Sequence, residues 1–159
     1  VDEAPWYDQI VIPALLRHAR ATYGQAMRRA LADAGYDDIP ANGLYIIGGL
    51  AIDRDGITIG QLVRELRVTK QAAGQLVDTL VLRGYLDRET DPDDRRKLIV
   101  TLTPRGRAAA ETQGAARDRI DAALAACVSP EDIAGTRRTL AALIDIGRKD
   151  REDAEKRPD

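Results

Sequence analysis

Apolar residues recur on a helical period near the start of the chain. Leu15, Ala19, Tyr23, Met27 and Leu31 are spaced four apart, with Leu16 and Ala30 widening the stripe, which predicts an amphipathic helix over residues 12–34. Pro13 suits its first turn, where a missing N–H costs nothing. Residues 5–11 read as a separate turn or short helix, and Asp33-Ala-Gly35 with Asp37-Asp38-Ile-Pro40 breaks the pattern. A short apolar helix is expected over residues 41–51, followed by a turn at Asp53-Arg-Asp-Gly56. Thr58 can cap a helix reaching Arg67, with Leu62, Val63 and Leu66 on its buried face. Thr69 can cap the next, over residues 70–83, and Gly84 stops it. Two helices joined by so few residues form a helix-turn-helix candidate.

The period then changes from helical to alternating. Residues 85–89 and 97–102 read as strands, the second rich in β-branched side chains, around the polar turn Asp91-Pro-Asp-Asp-Arg-Arg96. This predicts a hairpin with a charged tip. Thr103 and Pro104 open a long helix to about Cys127, and Ser129-Pro130-Glu131-Asp132 opens another by the same chemistry. The second carries Ile133, Leu140, Leu143, Ile144 and Gly147 as its stripe, and residues 148–159, almost all charged, are expected to fray. The fold class that follows is mostly α: a winged helix-turn-helix with a β-hairpin wing, plus long N- and C-terminal helices. Residues 41–102 form the expected DNA-binding lobe, and residues 1–40 with 103–159 the helical dimerisation region. The terminal stripes are too long for a small winged lobe to cover, so a homodimer is expected.

Composition narrows the function classes. The chain of 159 residues has 44% hydrophobic and 31% charged residues, a globular balance with no Phe, so its core rests on Leu, Ile, Val and Ala. No run approaches the roughly 20 apolar residues of a membrane span, and no signal peptide is legible. A single cysteine, Cys127, excludes an intramolecular disulfide, and a reducing cytoplasm is the expected compartment. Cys127 reads as a small apolar packing residue, with a redox sensor as the alternative. The net charge of −2 argues weakly against nucleic acid, yet residues 62–107 hold ten Lys and Arg against seven Asp and Glu, a local +3 within a remainder of −5. Phosphate neutralisation is local, so a basic middle in an acidic frame suits DNA.

Enzymatic readings find little support. There is no phosphate-binding Gly-Lys loop, and Gly48-Gly49 lies in a helix-like apolar run rather than a dinucleotide motif. His18 is the sole histidine, which excludes a zinc cluster of the usual type. Asp91, Asp93 and Asp94 do not make a calcium loop, because Arg95 and Arg96 occupy positions such a loop gives to a ligand and a glycine. No catalytic set, cofactor or metal is expected.

On a helical wheel, Ala73, Leu76, Val77 and Leu80 gather on one side of residues 70–83, while Gln71, Gly74, Gln75 and Asp78 gather on the other with Lys70 at the edge. The second face suits a major groove, where Gln pairs bidentately with adenine and Gly permits close approach. Lys70 and the helix N-terminus, capped by Thr69, suit phosphate. Arg88, Arg95, Arg96 and Lys97 concentrate positive charge near the hairpin, and an Arg entering a minor groove is favoured by its negative potential.

The stretches Val68-Thr-Lys-Gln-Ala-Ala-Gly-Gln-Leu-Val77, Leu82-Arg-Gly-Tyr-Leu86, Asp91-Pro-Asp-Asp-Arg-Arg96 and Leu102-Thr-Pro-Arg-Gly106 resemble the multiple-antibiotic-resistance-type (MarR) regulators, closely over about a third of the chain and loosely over the rest. The resemblance implies that Arg96 enters the groove, that Asp94 orients it, and that Arg95 contacts phosphate or makes a structural ion pair. The family commonly has a hydroxyl residue and an arginine where this chain has Gly74 and Gln75, which bears on the operator sequence. The expected function is sequence-specific regulation of transcription, as a repressor on a pseudo-palindromic double-stranded operator. A small aromatic or other apolar effector is expected to release it, with Trp6, His18, Tyr23 and Tyr45 as candidate pocket residues. A winged-helix module for protein contacts, without DNA binding, is the alternative.

Overall fold

The structure is a computed structural model that describes residues 4–52 and 56–156. Pro5–Ile10 is a turn held by Asp8 N–H on the Pro5 carbonyl at 3.0 Å. Helix α1 (Ile12–Asp33) follows, with Pro13 in its first turn. Helix α2 (Gly43–Ile52) buries Leu44, Ile46, Ile47 and Leu50. The expected turn at residues 53–55 lies outside the described residues, and Gly56 emerges at φ +83°. Thr58 then caps α3 (Ile59–Leu66) in a full capping box with Gln61. Arg67, in the left-handed region at φ 53°, turns the chain into α4 (Lys70–Leu82), whose N-cap is Thr69.

The sheet has one more strand than the alternation predicts. β1 (Ile57–Thr58) pairs antiparallel with β3 (Leu98–Leu102), which pairs with β2 (Leu86–Thr90), giving the order β1-β3-β2. Two residues carry no readable alternation, so β1 is visible only through its partner, Ile57 facing Val100 in the register. The hairpin itself is in the expected place, with Leu86 opposite Leu102 and Arg88 opposite Val100. Gly84 at φ +76° makes the reversal from α4 into β2, a backbone region open to glycine and strained for other residues.

Helix α5 (Pro104–Cys127) and helix α6 (Pro130–Glu155) complete the chain. α6 is opened by Ser129 in a capping box with Asp132, and it runs to Glu155 rather than fraying at Arg148. One (i, i+3) pair, Asp145 and Arg148 at 3.4 Å, supports a charged helix that sequence composition alone reads as loose.

The chain divides into two compact units, residues 1–118 and residues 119–159, the boundary falling within α5. The core belongs to the first. Ile47, Val77, Leu80, Tyr85, Val100 and Ala109 are fully buried there, with Leu31, Leu44, Leu62, Leu86 and Leu102 around them. In the second unit α6 has no buried residue, and Leu143, Ile144 and Ile146 are exposed. Cys127, expected to pack, is exposed as well. Among the described residues no helix is long and apolar enough to cross a membrane, and no cluster of side chains could hold a metal ion.

Candidate nucleic-acid interface

Helix α4 is held by one face and bare on the other. Ala73, Val77 and Leu80 are completely buried against the core, while Lys70, Gln71, Gln75 and Asp78 are exposed. The Thr69 hydroxyl accepts the Ala72 N–H at 3.1 Å, which fixes the first turn and leaves other N-terminal amides free to meet an anion. Gly74 lies between the faces, and a Cβ built there would meet no heavy atom within 4 Å. The glycine is therefore not demanded by the fold of this chain.

The wing tip is shaped by its own carboxylates. Asp91 Oδ1 accepts the N–H of Asp93 at 2.8 Å and of Asp94 at 3.4 Å. Asp94 Oδ1 accepts the backbone N–H of Arg96 at 3.1 Å, while its other oxygen lies 3.7 Å from Lys97 Nζ. Asp91 N–H to the Lys97 carbonyl, at 3.0 Å, closes the loop. Asp94 thus acts on Arg96 through the main chain. The side chains of Arg95 and Arg96 are exposed, and among the described residues neither is ion-paired. Arg88 differs from them: its guanidinium donates to Asp78 of α4. That pair ties the wing strand to the exposed side of the helix, so the charge of Arg88 is shared with Asp78. Sequence spacing holds no signal for a contact between these two.

Beneath both elements lies a cluster that sequence reading missed. The buried Tyr85 donates its hydroxyl to Asp38 of the α1–α2 connection, and Arg105 at the start of α5 donates to the same hydroxyl oxygen at 3.0 Å. Arg105 lies 3.6 Å from the Asp38 carboxylate and stacks over Tyr85 at 4.7 Å and Tyr36 at 5.6 Å. Arg83, at the C-cap of α4, donates to the Asp38 carbonyl. The Tyr85 hydrogen bond holds the Asp38 carboxyl below its usual range, helped by Arg105 and Arg83 against partial desolvation. Burial, and then the bond to Asp38, push the Tyr85 hydroxyl up. The cluster pins the end of α4 to the connection preceding α2 and to α5. Its members are far apart in sequence and of ordinary types, so no local pattern could have grouped them.

The four candidate effector residues lie in the N-terminal turn, on α1 and on α2. Trp6 is 74% exposed in the N-terminal turn, edge-on to Tyr7. His18 is exposed on α1, and Tyr23 is half-buried there. The Tyr45 hydroxyl accepts from Arg20 Nε at 2.9 Å, with the guanidinium 4.6 Å above its ring. A cleft of about 840 Å³ opens elsewhere in the first unit, among Met27, α2, β3 and α5, and none of the four lines it.

Residues 40–97 match the family described as the MarR family. The HTH-type transcriptional regulator PetP of Rhodobacter capsulatus is 33% identical over 91 residues. That match takes in 57% of this chain and 54% of PetP, so the chain spans about half the length of this relative. Among solved structures, Streptococcus pneumoniae FabT in complex with DNA superposes with a TM-score of 0.72 at 21% identity, over 87% of this chain and 96% of that one. The Staphylococcus aureus MepR–DNA complex gives 0.70 at 20% identity, over 86% and 98%. Bordetella bronchiseptica BpsR, described in terms of regulation of its DNA binding by 6-hydroxynicotinic acid, gives 0.64 at 22%, over 89% and 99%. The structural likenesses establish the fold over most of the chain. Residues 40–97 match the MarR family, and over most of the chain the fold is that of these solved structures.

Proposed function

We propose that this chain is a sequence-specific double-stranded DNA-binding regulator of transcription, acting as a homodimeric repressor in the cytoplasm, rather than an enzyme. One observation carries the reading. A helix buried along one face presents Lys70, Gln71 and Gln75 bare on the other, next to a wing whose Arg95 and Arg96 are unpaired among the described residues. In this reading Thr69, Lys70 and Arg95 meet phosphate, Gln71 and Gln75 read base edges beside Gly74, and Arg96 enters the minor groove on a turn set by Asp94. Arg88 contributes through its link to Asp78. The relatives solved with DNA support the reading.

The division of labour proposed is residues 41–102 for DNA and residues 1–40 with 103–159 for dimerisation. The bare apolar side of α6 supports this assignment. A two-fold dimer presents two recognition helices to a pseudo-palindrome, with half-sites roughly 10 bp apart centre to centre. A small apolar effector that binds one arrangement of the dimer better than the other shifts it off the operator. Selection of bound fragments from random DNA tests the reading. An inverted-repeat site is expected. Recovery of no preferred sequence, with protein partners captured instead, would favour a winged-helix interaction module.

A further inference from the structure

Helix α4 carries a single acid, Asp78, and it stands on the face proposed to meet DNA. Gln71, Gln75 and Asp78 follow one another at steps of four and three residues and are all exposed, so they form one stripe along the helix. A carboxylate in that stripe repels phosphate. A recognition helix reads base edges with its N-terminal residues. Asp78 lies eight residues beyond Lys70, about 12 Å along the axis, a greater distance than the roughly 8.5 Å depth of a major groove. It therefore falls level with the sugar–phosphate rim rather than with the bases.

The wing brings a cation to it. Side chains alternate across a strand, so Arg88 shares the face of Leu86, which is buried in the same core as Val77 and Leu80 of α4. Arg88 leaves the sheet on the helix side, beyond the edge of that core, and its guanidinium donates to Asp78 Oδ1. The side chains of Arg88 and Asp78 stay 34% and 64% exposed, so water and salt screen the pair and it adds little to stability. Its effect on the surface is of another kind. Two charges that would each act on phosphate sum to zero, whereas Lys70, Arg95 and Arg96 have no ion pair among the described residues.

We infer that Asp78 is a specificity-determining residue: by holding Arg88 it withholds one cation per chain from the DNA backbone, which lowers affinity for duplexes of any sequence and leaves discrimination to the amides of Gln71 and Gln75. The inference rests on the DNA-binding reading above. It is tested on the full chain with a random-sequence duplex and with the duplex that selection recovers, each titrated at several salt concentrations. Asp78→Asn frees Arg88. Binding to the random duplex should tighten about tenfold at low salt, with the slope of log K against log salt steeper by about one unit per chain, and the operator-to-random ratio should fall. Arg88→Gln leaves Asp78 uncompensated, so random binding should weaken and the slope should shrink. The double variant has no charge at either position and should return to the natural slope. Asp78→Ala should match Asp78→Asn; a gain confined to Asn would mark a new amide contact and overturn the inference. Weaker random binding in both single variants would make the pair a structural tie. A double variant as weak as Arg88→Gln would show that Arg88 meets phosphate in the natural chain. A loss in Asp78→Asn confined to the operator would make Asp78 a base reader. Each of these three results would likewise overturn it. Should the sign pattern appear while selection recovers no preferred sequence, the charge restraint stands and the sequence-specific reading falls. Should an operator be recovered while Asp78→Asn leaves random binding and slope unchanged, the regulator reading stands and the inference falls. Absence of duplex binding in every variant would sink both.

Discussion

At the residue scale, the two proposed DNA readers are separable by charge. Arg96→Ala removes an unpaired cation from the wing tip, so the slope of log K against log salt should shrink by about one unit per chain, on operator and random duplex alike. Gln75→Ala removes a neutral amide. It should leave the slope unchanged and cost about 1–3 kcal/mol on the operator only. Titrations of both variants on both duplexes at several salt concentrations check this, and unchanged affinity in both would remove the interface from α4 and the wing. The Asp38–Tyr85–Arg105 cluster bears on stability instead. Asp38 has a folded pKa below its unfolded value, so its contribution is present above the ordinary carboxylate range and is lost as pH falls through the lowered value. Thermal unfolding of Asp38→Asn should therefore show a lower midpoint than the natural chain at pH 7, with the gap closing in acid. Tyr85 has the opposite sign: its raised pKa means a contribution complete below about pH 10 and lost above it. Tyr85→Phe should lose about 1 kcal/mol at neutral pH and lack that alkaline limb. Of these residues Arg96 and Gln75 stand out in the sequence by position and type. Asp38 and Arg105 do not, because nothing local marks residues that meet only after the α1–α2 connection folds against α5.

At the scale of elements, helix termini were legible because caps are local. Thr58, Thr69 and Ser129 each accept a backbone N–H three residues on, and each begins a helix where the sequence places one. The strand β1 was not legible, since pairing and not alternation makes it a strand. Two glycines in helices show how the same residue type divides by surroundings. At Gly106 a Cβ would collide with the Tyr85 carbonyl oxygen, where α5 crosses the start of β2. At Gly74 the space is open. Gly106→Ala should destabilise the chain by about 1–3 kcal/mol through overpacking. Gly74→Ala should stabilise it by up to about 1 kcal/mol through helix propensity. Chemical denaturation of the two variants is a direct comparison, and equal effects would contradict the packing described.

At the scale of the whole molecule, α6 is the element that most requires something beyond one chain. A helix of 26 residues without a buried side chain, carrying Leu143, Ile144 and Ile146 exposed, gains little from its own chain. A dimer joined through this face should be broken by Ile144→Asp, which places a charge in the apolar stripe. Sedimentation should show the natural chain as a dimer at micromolar concentration and the variant as a monomer with weakened operator binding; a natural chain that is monomeric would refute the arrangement. The amino-acid sequence by itself determined the order of helices, the caps, the hairpin and the outward face of α4, because periodicity and capping depend on neighbours within a few residues. Tertiary structure alone decided the third strand, the coupling of Arg88 to Asp78 and the Asp38–Tyr85–Arg105 cluster. Each of these depends on a contact between distant segments, where the energy lies in which groups meet and which are left without a partner.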